Sequence, residues 1–347
     1  MSAQIALALT EVAAPLTKIT LPIPDASELK ENQVLIKITA AGLAPLDQKF
    51  RDRGHLNIGS RLPAVIAGDL VGTLVKNGPN ATFPIGAHIF SQMLFHLPKS
   101  GGLQEYTIID CRYAAVVPAN ISDAEAALYP INAVTSAMSL FSVSGFGLPL
   151  PGTPGSEGFD YASQKVVIVG GGTNTGKLAI QFARLAGIGT IIAIASPSGA
   201  ELLKSFGATH VIARQDSDIE AQVRRIVGDD LLYVYDTIAL GNLSLGASLL
   251  SNSKKGTLVF LVSGQVDEAV LAQKKAGIDV KRMQGFSHAI PEFGQLFWKI
   301  FPTWLESGKI IPLKYNVIDG LDAKKVNKAL DEYGQGRSGE RYHIRID

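Results

Sequence analysis

Residues 165–187 read KVVIVGGGTNTGKLAIQFARLAG, and this stretch decides the fold. Val166 to Val169 are apolar without interruption, which suits a parallel strand covered on both faces. A glycine-rich turn follows, Gly170-Gly171-Gly172-Thr173-Asn174-Thr175-Gly176, and then a helix beginning near Gly176 and closing at Gly187 as its C-cap. Glycine lets such a turn tighten and approach a pyrophosphate, while the N–H groups that open the next helix face the phosphate charge. The spacing G-x-G-x-x-G would place a third glycine at Thr175; here small residues recur every three positions instead, at Gly170, Thr173 and Gly176. A plain tight turn is the competing reading. The setting between an apolar strand and a helix favours dinucleotide binding by all seven residues of the turn, Gly170 to Gly176.

Downstream, TIIAIA, HVI, LLYVYD and GTLVFLV alternate with helical stretches near Glu201–Phe206, Ile219–Val227 and Leu243–Leu250. Strands alternating with helices at this spacing predict right-handed βαβ units and a doubly wound parallel sheet of Rossmann type. The second strand ends in Ala195-Ser196-Pro197-Ser198, with none of the acidic residue that an NAD site uses to accept both ribose hydroxyls. Small hydroxyls at Ser196 and Ser198 leave room for a 2′-phosphate, with Lys204 and Arg214 as neighbouring cations, so NADPH is the expected cofactor. Lys204 reads equally well as a solvated helix face.

Upstream, short runs separated by Gly, Pro and Asn predict strands at Ile5–Thr10, Gln33–Ala40, Ala64–Lys76, Ala87–Gln92, Gln104–Ile109 and Ala114–Val117. One helix is expected from Ser122 to about Phe141, opened by a capping box of Ser122 with Glu125. The loop GFGLPLPGTPGSEGFDYASQ reads either as an ordered excursion or as a mobile flap. After about Phe286 come a helix, FGQLFWKIFPTWLESGKI, and a last strand, RYHIRI, which return to the first domain.

At 347 residues, two cores are expected. Hydrophobic residues form 46% and charged residues 18% of the chain, with net charge +1 and the two signs interspersed. That composition is globular, and it offers no electrostatic surface for nucleic acid. No segment reads as a signal peptide or a membrane span, and the single cysteine, Cys111, excludes an internal disulfide framework. A cytoplasmic protein, monomeric or homo-oligomeric, is expected.

Several landmarks now stand in order: Gly42-Leu43-Ala44-Pro45-Leu46-Asp47, LPAVIAGDLVGTLV, Gly101-Gly102-Leu103-Gln104-Glu105-Tyr106, LYPINAVTSAM, the Rossmann turn, LLKSFGATHVI and SGERYHIRI. In these the chain resembles the medium-chain dehydrogenase/reductase superfamily on its zinc-independent, quinone-oxidoreductase-like side. GGTNTGKLAIQ and the SPSG segment look most like fungal trans-acting polyketide enoyl reductases. The resemblance implies a GroES-like β-rich substrate domain (1–125 and 288–347), a Rossmann NADPH-binding domain (126–287), and an active site in the cleft between them.

Zinc-dependent members carry an early Cys and a Gly-His-Glu segment where this chain has Gly68-Asp69-Leu70, and the histidines, such as His88, His96 and His210, show no ligand spacing. No metal is expected. The resemblance places Lys49 where related enoyl reductases have a lysine, to orient the nicotinamide ribose or stabilise an enolate, unless it is a surface lysine. It places Thr135 near the nicotinamide, unless its hydroxyl serves only its own helix, and Val262 and Ser263 as backbone partners of the carboxamide. Two departures stand out: Ala44 replaces the usual asparagine, and no tyrosine precedes LPAV. His55 could serve as the proton donor, unless it is a surface loop histidine and the proton comes from water.

The function implied is NADPH-dependent reduction of activated carbon–carbon double bonds in enoyl, enone or quinone substrates. The substrate is a small molecule, and a polyketide synthase acyl-carrier domain is a candidate partner. The alternative is an NADPH-binding scaffold or ligand carrier with little catalysis.

Overall fold

In the computed structural model, which describes residues 2–96, 99–238, 241–336 and 340–346, the chain divides into two units. The first comprises residues 1–131, 294–308 and 312–347, and the second residues 132–293 and 309–311.

In the first unit, β1 (Ala3–Leu9) pairs with β2 (Thr17–Pro22), while β3 (Gln33–Gly42) starts a larger sheet and runs into α1 (Pro45–Arg53). The stretch expected as one strand at Ala64–Lys76 is two: β4 (Ala64–Val65) and β5 (Asp69–Asn77). The break falls at Ala67, held at φ +72°, where the chain leaves the β1 sheet and enters the β3 sheet. Ala67 is fixed there by Asp47, whose carboxylate accepts its N–H at 2.8 Å, and by Gly102, whose N–H donates to its carbonyl at 2.8 Å. Next come β6 (His88–Gln92), β7 (Tyr106–Asp110) and β8 (Ala114–Val116).

The single helix expected from Ser122 to Phe141 is also two: α2 (Asp123–Ala126) and α3 (Pro130–Phe141). Pro130 has no N–H to continue the first helix but suits the first turn of the second. Half of the expected capping box forms. Ser122 Oγ accepts the Glu125 N–H at 3.2 Å, and the Glu125 carboxylate accepts from the Tyr129 hydroxyl at 3.2 Å.

The second unit carries β9 (Lys165–Val169), α4 (Asn174–Ala186), β10 (Thr190–Ala195), α5 (Ala200–Phe206), β11 (His210–Ala213), α6 (Ile219–Val227), β12 (Tyr233–Asp236), β13 (Gly241–Asn242), α7 (Ser244–Leu249), β14 (Gly256–Phe260), β15 (Gly264–Gln265), α8 (Glu268–Leu271) and β16 (Ile278–Arg282). Six of these strands form a sheet in the order β11-β10-β9-β12-β14-β16, every pair parallel. The doubly wound parallel sheet is therefore as the sequence predicts. One side of it buries Val167, Ile192, Val223, Val234 and Leu258 in a common core. The proline-rich loop before β9 is packed: Leu148, Leu150 and Tyr161 are buried, and the Tyr161 hydroxyl donates to the Pro149 carbonyl at 2.7 Å.

The chain then returns through α9 (Pro291–Glu306) to β17 (Tyr315–Asp319), α10 (Ala323–Gly334) and β18 (Arg341–Arg345). Of the SGERYHIRI landmark, Ser338 and Gly339 lie outside the described residues. β18 runs antiparallel to β3, with His343 opposite Gly42, and parallel to β17. The sheet order is β17-β18-β3-β5-β6-β8, with β7 also on β3. α9 covers this unit with Trp298 and Phe301, whose rings sit 5.2 and 6.1 Å from that of Phe90.

His343 is fully buried, stacked on Tyr315 at 4.6 Å, with Nδ1 on the Ala124 carbonyl and Nε2 without a partner. Burial pushes its pKa down from 6.5 to about 3. Between those values the unfolded chain binds a proton that the folded chain refuses, so stability is lost as pH falls through that window. His343→Phe is expected to flatten this acid-side loss, read as the midpoint of urea unfolding at pH 6.5 and pH 4; an unchanged pH slope would contradict it.

Candidate active site

Three features of the second unit converge on the turn after β9. Gly170 has φ +78°, and a Cβ there would stand 2.4 Å from Thr237 Oγ1. A Cβ on Gly176 would stand 2.4 Å from the Gly170 carbonyl, so the first turn of α4 can lie on the loop only because both residues are glycine. Gly171 abuts Ala193, whereas exposed Gly172 has no atom nearer than 3.9 Å to such a Cβ. An open, side-chain-free point beside a helix start is a cradle for an anion. The residues present therefore fit a dinucleotide pyrophosphate.

Thr173 is the N-cap: its Oγ1 accepts the Gly176 N–H at 2.9 Å and lies 3.0 Å from Thr237 Oγ1. Asn174 opens α4 and is half-buried. Thr175 Oγ1 donates to Asn132 Oδ1 at 3.0 Å, and the Thr175 carbonyl accepts from Ser136 Oγ at 2.8 Å. The helix starts at Asn174, two residues ahead of the expected Gly176, because Thr173 rather than a glycine caps it.

Thr237, just past β12, is the residue that the sequence pattern did not reveal. Its hydroxyl reaches the carbonyls of Val169 and Gly170 at 3.0 and 3.1 Å and the Thr173 hydroxyl at 3.0 Å. One small polar side chain thus holds the strand end, the turn and the helix cap in register.

At the end of β10, Ser196 and Ser198 are exposed, with their hydroxyls 3.0 Å apart. The Arg214 N–H donates to the Ala195 carbonyl at 2.8 Å, which registers Arg214 beside that strand end. Lys204 faces outward on α5 and pairs with Glu201 at 2.9 Å. Val262 is half-buried, and the Ser263 carbonyl accepts the Gly241 N–H at 3.0 Å. Thr135 is buried on α3 so tightly against Gly285 that a Cβ there would come within 2.0 Å of its hydroxyl.

In the first unit, Lys49 is half-buried on α1, where desolvation and then nearby Arg53 hold its ammonium below the usual lysine range. His55 follows α1 across Gly54 (φ +61°), with its ring 6.4 Å from Phe50. The structure thus groups the turn, Ser196, Ser198 and Arg214 in one unit, and Lys49 with His55 in the other.

Around α1 lies a buried polar network. Arg341 donates to the Leu43 carbonyl at 3.0 and 2.9 Å, to the Leu128 carbonyl at 3.0 Å and to the Asp69 carboxylate. Asp69 also accepts the Ile131 N–H at 2.6 Å; burial raises its carboxyl and Arg341 opposes that rise. Asp47 accepts N–H groups from Ala44 and Ala67 at 2.7 and 2.8 Å, and burial nonetheless pushes its carboxyl up to about 7. The signal for this network was an acid within the apolar run PAVIAGDLVGTLV, since a buried charge needs a partner. The zinc donor set of related dehydrogenases does not fit here. Ala44 bears no donor, Asp69 is engaged by Arg341, and no group of three or more His, Cys, Asp or Glu among the described residues is placed to hold a metal.

Residues 30–119 match the alcohol dehydrogenase GroES-like domain and residues 175–293 the zinc-binding dehydrogenase domain. The chain is 32% identical over 212 residues, 59% of its own length and 67% of the other, to the trans-enoyl reductase tazE of Aspergillus terreus. It belongs to the medium-chain dehydrogenase/reductase superfamily. As a member it is an oxidoreductase that uses a nicotinamide dinucleotide. A second relative, the 2-methylene-furan-3-one reductase of Solanum lycopersicum, is 28% identical across 91% of this chain and 71% of that protein. The fold is shared with a putative zinc-dependent alcohol dehydrogenase of Rhizobium etli, at TM-score 0.82 and 22% identity over 100% of this chain and 99% of that one. Among the described residues no helix is long and apolar enough to cross a membrane.

Thr237→Val keeps the shape but leaves two carbonyls and the Thr173 hydroxyl without its bond, a loss of about 1–3 kcal/mol. Weaker dinucleotide binding by fluorescence quenching is expected, with circular dichroism unchanged; wild-type affinity would remove Thr237 from the cradle.

Proposed function

We propose that the chain reduces activated carbon–carbon double bonds of enoyl, enone or quinone substrates with NADPH and without zinc. The observation that carries this is the engagement of Asp69 by Arg341 beside donor-free Ala44, which leaves carbonyl chemistry without a protein-held Lewis acid. The two reductase relatives support the same reading. So does the end of β10, where two serines and Arg214 replace the carboxylate of an NAD site.

The Gly170–Gly176 turn would hold the cofactor, whose contribution when bound would be a hydride for the β-carbon. Arg214, Ser196 and Ser198 are proposed to hold the 2′-phosphate, with Lys204 as an outer cation held back by its Glu201 pair. Backbone groups at Val262 and Ser263 would receive its carboxamide, and Thr135 would stand by its nicotinamide. Lys49, its ammonium already partly desolvated, donates to the oxygen on which enolate charge gathers. His55 or water delivers the proton to the α-carbon. The substrate is proposed to be small, either free or borne on an acyl-carrier domain of a polyketide synthase, and the setting cytoplasmic. Ala44 in place of the family's asparagine keeps one other reading open, a dinucleotide-binding carrier, which predicts tight binding and no hydride transfer to any enone.

Arg214→Ala should weaken NADPH about 10- to 100-fold, the worth of a charge-assisted hydrogen bond, and leave NADH little changed. Equal losses would take Arg214 out of the phosphate site. Lys49→Ala should lower kcat for an enone at least about tenfold, a modest oxyanion contribution, without altering the NADPH Kd; an unchanged rate would make it a bystander.

A further inference from the structure

The edge of the parallel sheet carries a feature that the cofactor cradle does not use. Where the chain leaves β16, Arg282, Met283 and Gln284 line a cavity of about 320 Å³ together with Met138, Ser144 and Ile290. Its floor is apolar and fixed: Met138 is buried in α3, and buried Met283 extends the β14 pairing through its N–H on the Phe260 carbonyl at 2.8 Å. Its rim is polar, with Ser144, Arg282 and Gln284 all exposed.

The wall is held from two sides. Lys281 Nζ donates to the carbonyls of Val143 and Gly145 at 3.2 and 2.8 Å, the two residues flanking Ser144, and so straps the turn after α3 to β16. The same turn presses on α3, because a Cβ on Gly145 would stand 2.2 Å from the Ser139 carbonyl. Ser144 is thereby set at the mouth by backbone contacts on either side of it.

Strand order says which end of a bound ligand lies nearest. The chain runs from β9 outward through β10 to β11, then crosses to β12 on the other side of β9, so the switch point falls between β9 and β12. Dinucleotides straddle such a point beyond the carboxyl ends of the strands, with the adenosine ribose at the end of the second strand, here β10. The reacting half is left with the β12-β14-β16 side, and the cavity opens at the carboxyl end of the last of these.

We propose that this cavity is a subsite for the non-reacting arm of the substrate, taking a short apolar chain that ends in a carboxylate or similar anion bound by Arg282. A guanidinium fork matches a carboxylate in two bonds, and Ser144 and Gln284 offer further donors at the same mouth. The volume lies at the low end for ligand pockets, which suits a chain of a few carbons better than a fused ring system. The word substrate rests on the reductase reading above; the binding preference does not.

Isothermal titration of the cofactor-free protein with sodium hexanoate and with 1-hexanol tests it. Hexanoate is expected to bind about tenfold more tightly, the worth of one charge-assisted contact. Arg282→Ala should erase that preference and Ser144→Trp should abolish binding of both, while each variant keeps wild-type dinucleotide affinity as its control for folding. Equal affinity of the wild type for the two probes, or undiminished hexanoate binding by Ser144→Trp, would overturn the subsite. Hexanoate selectivity with no enone turnover would uphold it and count against the reductase reading alone.

Discussion

A fully buried guanidinium meeting a fully buried carboxylate is costly unless both are partnered, and here all three Arg341 nitrogens donate and both Asp69 oxygens accept. Arg341 comes from the last strand, Asp69 from the fifth, and the carbonyls that Arg341 also binds, of Leu43 and Leu128, precede α1 and α3. The pair therefore joins the returning chain end to the β3–β5 sheet and to the lead-in of both helices. Removing either partner would leave a bare charge in the core, so the contact constrains everything built around it. It also engages Asp69, the carboxylate in the segment where zinc-dependent members carry Gly-His-Glu.

The second unit is governed by close approach rather than by charge. Gly170 and Gly176 let α4 sit on the loop, where a Cβ on Gly170 would meet the Thr237 hydroxyl, and that hydroxyl fastens the loop to the strand below. The result is an anion cradle whose shape comes almost wholly from backbone. Selectivity is proposed to lie with the few side chains at the strand ends. Ser196 and Ser198 mark one side of the switch point, and Arg282 with its strapped wall marks the other.

What could be read in the sequence follows from the range of the interactions involved. The apolar VVIV run, the glycine turn and the alternation after it are local signals, and they predicted the parallel sheet; the family was legible only as a resemblance carried by the ordered landmarks from Gly42 to SGERYHIRI. The split at Ala67 was not local: an alanine is held at positive φ by Asp47, twenty positions earlier, and by the backbone of Gly102, so Ala64–Lys76 read as one strand. Pro130 was visible, but a stretch opened by the Ser122 capping signal was read as one helix through it. Thr237 carried no motif, since its work is done by contacts with residues more than sixty positions away. Arg214, just beyond the third strand, already looked slightly better placed than Lys204 in sequence; in three dimensions Lys204 pairs with Glu201 on its own helix, whereas the Arg214 N–H bonds the carbonyl that ends β10.

In the proposed reaction hydride passes to carbon conjugated to a carbonyl, not to the carbonyl itself. NADPH carrying deuterium at the transferring C4 position, incubated with the protein and a simple cyclic enone, tests it directly by NMR of the product. A saturated ketone with deuterium on the β-carbon and solvent hydrogen on the α-carbon is expected. Deuterium on a carbinol carbon, or no transfer at all despite tight NADPH binding, would contradict it.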